Sequence, residues 1–115
     1  MALFIESRAF RQRVGEFLTD DELAAAQREL ADHPERWPVI PGSGGARKAR
    51  VAQSGRGRGK WGGARIVYVY LPRREHIHLL VIYGKKEVAD LSPSQLATVR
   101  RAVKEIYAAA RGSDE

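Results

Sequence analysis

Two segments of the sequence are apolar at odd and even positions alike, and they restrict the fold more than anything else in it. Ile66-Val67-Tyr68-Val69-Tyr70-Leu71 is β-branched and aromatic, and Ile77 to Tyr83 repeats that character beyond a turn at Pro72 to Glu75. Both read as strands of one hairpin. A strand with one wet face alternates apolar and polar residues. These do not, so the hairpin belongs at the centre of a sheet covered on both faces.

Capping chemistry marks three helices. Ser7 caps the first, whose Phe10, Val14 and Phe17 recur at the spacing of a core-facing stripe. Thr19 and Glu22 form a capping box for the second, with Leu18 and Leu23 at the staple positions and Pro34 stopping it after His33. Two short helices this close in sequence should pair as an antiparallel hairpin. Ser92, Pro93 and Gln95 open the third, stapled by Leu91 and Leu96. Its stripe of Leu96, Val99, Val103, Ile106 and Ala110 is expected to end before Gly112. Leu3-Phe4-Ile5 reads as a short first strand and Lys48 to Ala52 as another. Trp37 to Gly45 and Gly55 to Gly63 read as loops rich in glycine. The order β-α-α-β-β-β-α is that of an α+β protein with one domain over residues 1–115.

Charge is segregated along the chain. Residues 1–36 hold five Arg against eight Asp or Glu, whereas residues 43–74 hold nine Lys or Arg and no acid. Residues 75–115 hold six of each sign, so the whole net excess of +6 comes from the central segment. A concentrated field of one sign points to a polyanionic partner, nucleic acid above all. No run of eighteen apolar residues offers a membrane span, and the first residues turn polar at Glu6, unlike a signal peptide. The chain has no Cys, which leaves no disulfide framework or thiolate metal site. The expectation is a cytoplasmic protein without metal, cofactor or membrane partner.

The basic segment interleaves Arg47, Lys48, Arg50, Arg56, Arg58, Lys60 and Arg65 with glycines and Trp61. Cations neutralise phosphates, glycines let backbone approach closely, and an indole offers a face to a base. On an extended segment Lys48 and Arg50 project from one face. Lys85 and Lys86, directly after the last strand, could complete a phosphate site. Gly59-Lys60 does not belong to a phosphate loop of the NTPase kind. Ser54 stands where the first glycine is required and Trp61 where Ser or Thr is required. His76 and His78 alternate on a strand and should share a side. Paired imidazoles can divide acid and base work, but a partly buried strand end explains them as well. Asp20, Asp21 and Glu22 suit the first turn of a helix.

In order and spacing, Gly44-Gly45-Ala46-Arg47-Lys48-Ala49-Arg50, Gly59-Lys60-Trp61-Gly62-Gly63-Ala64-Arg65-Ile66-Val67-Tyr68 and Leu79-Leu80-Val81-Ile82-Tyr83-Gly84-Lys85-Lys86-Glu87 through Asp90-Leu91-Ser92 resemble the RelE/ParE superfamily of toxin–antitoxin toxins, in its HigB-like branch. The resemblance implies a RelE-like fold: a small antiparallel-rich sheet with an N-terminal helix hairpin and a C-terminal helix. It also implies a ribosome-dependent mRNA endonuclease in which a 2′-hydroxyl attacks the adjacent phosphate. On the family pattern the catalytic positions fall on Lys48, Arg50, Lys60, Arg65 and Lys86, with Lys48 or Lys60 as base. Arg47, Arg56, Arg58, Trp61 and Lys85 are then RNA-binding. Val88-Ala89-Asp90-Leu91 lacks the Tyr that some relatives carry there, which leaves Trp61 or Tyr83 to stack a base. The implied partners are mRNA, the ribosomal decoding site and a cognate antitoxin of the helix-turn-helix kind. The superfamily also contains DNA gyrase inhibitors, and an inactive basic module that only binds an antitoxin fits the same charge pattern.

Overall fold

The computed structural model describes residues 2–52, 63–85 and 90–113. Its elements in chain order are β1 (Leu3–Glu6), α1 (Arg8–Phe17), α2 (Asp20–Asp32), β2 (Arg47–Val51), β3 (Ala64–Leu71), β4 (His76–Gly84) and α3 (Pro93–Ser113). The four strands form one mixed sheet in the order β1-β4-β3-β2. β3 pairs antiparallel with both β2 and β4, and β1 runs parallel to β4. The fold is α+β, with the hairpin β3–β4 at the centre as the apolar pattern requires.

Helices cover both faces. On one side Phe10, Leu18, Ala26 and Leu30 of the α1–α2 hairpin region pack on Ala49, Val51, Ile66, Tyr68, Ile77, Leu79 and Ile82. On the other, Val99 and Val103 of α3 pack on Val67, Val69, Leu80 and Tyr83. The alternation of β3 is thus divided between two cores, and neither Ile66 nor Val67 retains any exposure. Both capping boxes form. Thr19 N–H donates to Glu22 Oε1 at 2.8 Å and Glu22 N–H to Thr19 Oγ1 at 3.1 Å, and Ser92 and Gln95 exchange the same pair of bonds at the start of α3. One helix end differs from expectation. α3 runs through Gly112 to Ser113, because an exposed glycine weakens a helix without forbidding it.

The register contains one irregularity. Val67 lies opposite Val81 but Tyr68 lies opposite Leu79, so Leu80 has no residue facing it. This β-bulge puts Leu80 and Val81 both against the α3 core. The Leu80 carbonyl accepts the Ser7 hydroxyl at 2.7 Å, while Ser7 Oγ accepts the Phe10 N–H at 3.0 Å. The residue that caps α1 therefore also satisfies the bulge.

The loop before β2 is tied to α3. Ser43 is fully buried, donates its hydroxyl to the Ile40 carbonyl at 2.7 Å and accepts the Ala46 N–H at 2.9 Å. Arg100 donates to the Gly42 carbonyl at 3.0 Å. Gly42, Gly44 and Gly45 all have positive φ where the loop lies against Leu96, Val103 and Tyr107. These contacts set Ile40 and Pro41 beside the start of α3. Among the described residues no helix is long and apolar enough to cross a membrane.

Candidate functional site

Strand pairing gathers the cations that the chain spreads over forty residues. Arg50 of β2 lies opposite Arg65 of β3, which in turn lies opposite Tyr83 of β4, and Lys48 lies opposite Val67. Residues opposite one another share a face, as do residues two apart on a strand. Lys48, Arg50, Arg65 and Tyr83 consequently occupy the face on which α3 packs, at one end of the sheet. Lys85, exposed, follows β4 at that end, where its N–H reaches the Gly63 carbonyl at 3.5 Å. Like charges directly opposite on neighbouring strands disfavour the sheet by about 0.2–1 kcal/mol. An anion attracted to both guanidinium groups opposes that cost.

Gly63 makes the close pairing possible. Its φ is +67°, and a Cβ there would run into the Val51 carbonyl. The glycine expected to let backbone approach a ligand instead lets β3 approach β2, just before Arg65.

Of the other predicted residues, Arg47 lies on the opposite face. Its Nη1 donates to the Trp37 carbonyl at 2.6 Å and to the Glu35 carbonyl at 3.0 Å, and the Glu35 carboxylate is 3.9 Å from Nη2. It fastens the chain after α2 to the sheet. Arg56, Arg58, Lys60, Trp61 and Lys86 lie outside the described residues.

Two groups that the sequence did not single out as partners join the site. Lys48 Nζ is 3.0 Å from Asp90 Oδ1, with side-chain exposures of 32% and 81%. So exposed a pair is worth about 0.2–1 kcal/mol. Tyr83 is 3% exposed, and its hydroxyl has no hydrogen-bond partner among the described residues. Burial pushes its pKa up, and the neighbouring Lys48 and Arg65 pull it down while Asp90 raises it, so the group is a neutral donor at pH 7. Between these residues and Ile40, Pro41, Leu91 and Leu96 lies a cavity of about 280 Å³. Forty-two residues separate Lys48 from Asp90, and no local spacing could have announced their contact.

His76 and His78 do share a side, with ring centroids 6.2 Å apart. They sit near the other end of β4, away from the cations, lining a cleft with Ile5, Arg74, Glu105 and Ile106. Burial, and then the charge of His76, lower the pKa of His78. Among the described residues no group of three or more His, Cys, Asp or Glu is placed to hold a metal ion. No protein-family model matches the chain, so the chemistry of this site has to be argued from its own residues.

Proposed function

We propose that the protein is a RelE-like toxin of a toxin–antitoxin pair, an endonuclease that cuts mRNA on the translating ribosome. The observation that carries the reading is the convergence of Lys48, Arg50 and Arg65 on one face at one end of the sheet, with Lys85 at its edge. Cleavage of RNA by its own 2′-hydroxyl needs this kind of site. The hydroxyl oxygen attacks the adjacent phosphorus and loses its proton to a base, Lys48 or Lys60. The bond to the 5′-oxygen breaks and that oxygen takes up a proton from water, leaving a 2′,3′-cyclic phosphate and a free 5′-hydroxyl. Negative charge on the phosphoryl oxygens grows along this path, and fixed guanidinium groups stabilise it most where it is greatest. Arg65, in the second strand from the edge and next to the constrained Gly63, is the cation best held for that task.

The proposed partners are mRNA, the ribosomal decoding site, and an antitoxin that keeps the protein harmless in the cytoplasm. The test is induced expression followed by mapping of mRNA 5′ ends, repeated on purified message with and without ribosomes. Cleavage inside translated frames that requires ribosomes is the expected result. Intact messages together with gyrase inhibition would identify a ParE-like inhibitor instead. If neither message nor gyrase is affected, the chain is a basic antitoxin-binding module.

A further inference from the structure

The two edges of the sheet are finished differently. Successive residues of a strand turn their main-chain N–H and C=O groups to opposite sides. In β1, Leu3 N–H donates to the Glu75 carbonyl and Ser7 N–H to the Leu79 carbonyl, both at 2.9 Å, so Phe4 and Glu6 face outward. Arg11 closes that short edge by donating to the Glu6 carbonyl at 2.9 Å. In β2 only the beginning is covered. Val39 bridges Arg47, and Ile40 N–H donates to the Ala46 carbonyl at 2.8 Å. The main chain of Ala46 thus faces away from β3, and by alternation so does that of Lys48 and Arg50. Beyond the bridge no described strand pairs with β2 on that side.

An edge of this kind is a template for another strand. We propose that it takes an extended segment of a protein partner as a fifth strand, one that alternates acidic with aliphatic residues. The inference goes beyond the nuclease reading, and the strand pairing is argued without it.

The surroundings of the edge dictate both halves of the alternation. On one face Lys48 and the exposed Arg50 flank it, with Arg65 across the ladder from Arg50. Lys48 already holds one carboxylate, that of Asp90. Acidic residues on this face of an added strand lie opposite the cations, and opposite charges so placed stabilise a sheet. On the other face the edge borders a groove against α2. Buried Ala26, Leu30, Ala49 and Val51 line it, and Asp21 and Glu29 stand on its wall. Aliphatic residues suit that lining, whereas acidic ones meet like charge there. A slip of one residue would send the acids into the groove and the aliphatic side chains to the cations, so the alternation also fixes register. Main-chain bonds supply attachment, and the alternate side chains supply selectivity. A second copy of this chain fits less well, because β2 laid beside itself sets cations against cations.

The experiment is a titration of the full chain with a synthetic peptide of about seven residues, close to the length of an ordinary strand, alternating Glu with Val. Control peptides alternate Lys with Val and Glu with Ser. The Glu–Val peptide should bind about tenfold tighter than either control. Hydrogen exchange of the Arg50 amide should slow by about tenfold or more in its presence, because that N–H gains an acceptor. The Ala49 and Val51 amides, turned toward β3, should be protected with or without it. N-methylation of one alternate set of peptide nitrogens should abolish binding, and of the other set leave it intact. Arg50→Glu, at an exposed position, should erase the preference for glutamate over lysine. Equal binding of the Glu–Ser peptide would reduce the surface to a cluster of cations and overturn the proposal. So would an Arg50 amide whose exchange the peptide leaves unchanged, or equal effects of the two methylation sets. An Arg50 amide protected without peptide in a dimeric chain would overturn it in favour of a second copy. The titration reads binding alone, so its failure leaves the nuclease reading to the cleavage assay, and the reverse.

Discussion

Arg47 and Lys48 are neighbours in one strand and serve opposite faces of the sheet. On the α1–α2 face, Arg47 is consumed by two carbonyls and a carboxylate of the segment that follows α2. Next to it Tyr68, fully buried, donates its hydroxyl to the Pro34 carbonyl at 2.7 Å. On the α3 face, Lys48 pairs with the exposed Asp90 carboxylate, and Arg50 confronts Arg65 across the ladder. On one face Arg47 and Tyr68 are matched within the fold, and the other concentrates like charge and holds a buried phenol with no partner among the described residues. The difference shows that a basic run in a strand is two populations. Arg47 is spent on the segment after α2, whereas Lys48 and Arg50 share the face and the sheet end of Arg65.

Substitutions on the two faces should therefore fail in different ways. The largest effect is expected at Arg65→Ala, which should lower ribosome-dependent cleavage by about 10²–10³, the usual consequence of removing one fixed donor to a developing anion. The mapped 5′ ends should vanish while circular dichroism stays native. Full cleavage at matched expression would erase the functional side of the contrast. Arg47→Ala should act on stability instead, costing about 2 kcal/mol in urea denaturation for the loss of charge-assisted bonds to carbonyls. A variant as stable as the parent would show that the α1–α2 face does not depend on this cation.

Tyr68→Phe should cost about 1 kcal/mol at neutral pH. It should also change the alkaline limb of stability. Burial raises the Tyr68 pKa from 10 to about 12, Arg47 and the Trp37 backbone pulling against it. Between those values the folded chain holds a proton that the unfolded chain has released. Stability is therefore complete below pH 10 and declines as pH rises toward 12. The phenylalanine variant should lack that part of the decline, which denaturation at stepped pH would measure. The smallest effect is sought at Arg50→Gln, where the slope of log affinity for single-stranded RNA against log salt should become shallower by about 0.7, one phosphate contact. An unchanged slope would remove Arg50 from the binding surface.

The elements of the fold were legible because their signals are local. Thr19 with Glu22 and Ser92 with Gln95 formed the boxes their spacing implied, and the unalternating strands took the centre of the sheet. The shared face of Lys48 and Arg50 was readable from alternation alone. Arg47 was not, since its acceptors are backbone carbonyls of residues 35 and 37, which carry no side-chain signature. Tyr83 was expected to stack a base, but its place beside the cations, like that of Asp90, escaped for a related reason. Their place beside Lys48 depends on strand order, with β3 between β2 and β4, and on the loop around Ser43 that sets Ile40 against α3. The bulge at Leu80 was hidden by the feature that made β4 easy to find, because apolar residues at every position conceal the register.

That bulge makes chain length, as well as residue identity, part of what builds the site. His78 and Tyr83 are an odd number of positions apart and still face α3, because Leu80 absorbs one step of the pleat. Flattening the bulge at unchanged length would impose strict alternation and exchange the two faces of β4 beyond it, whereas deleting Leu80 would leave the register with β3 regular and the faces as they are. In the flattened strand Tyr83 would turn into the core against α1 and α2, and Ile82 would take its place beside Lys48 and Arg65. Substitution or deletion of Leu80 would leave Tyr83 on this face, whereas one residue inserted between Val81 and Tyr83 would turn it away with every side chain of the site still encoded.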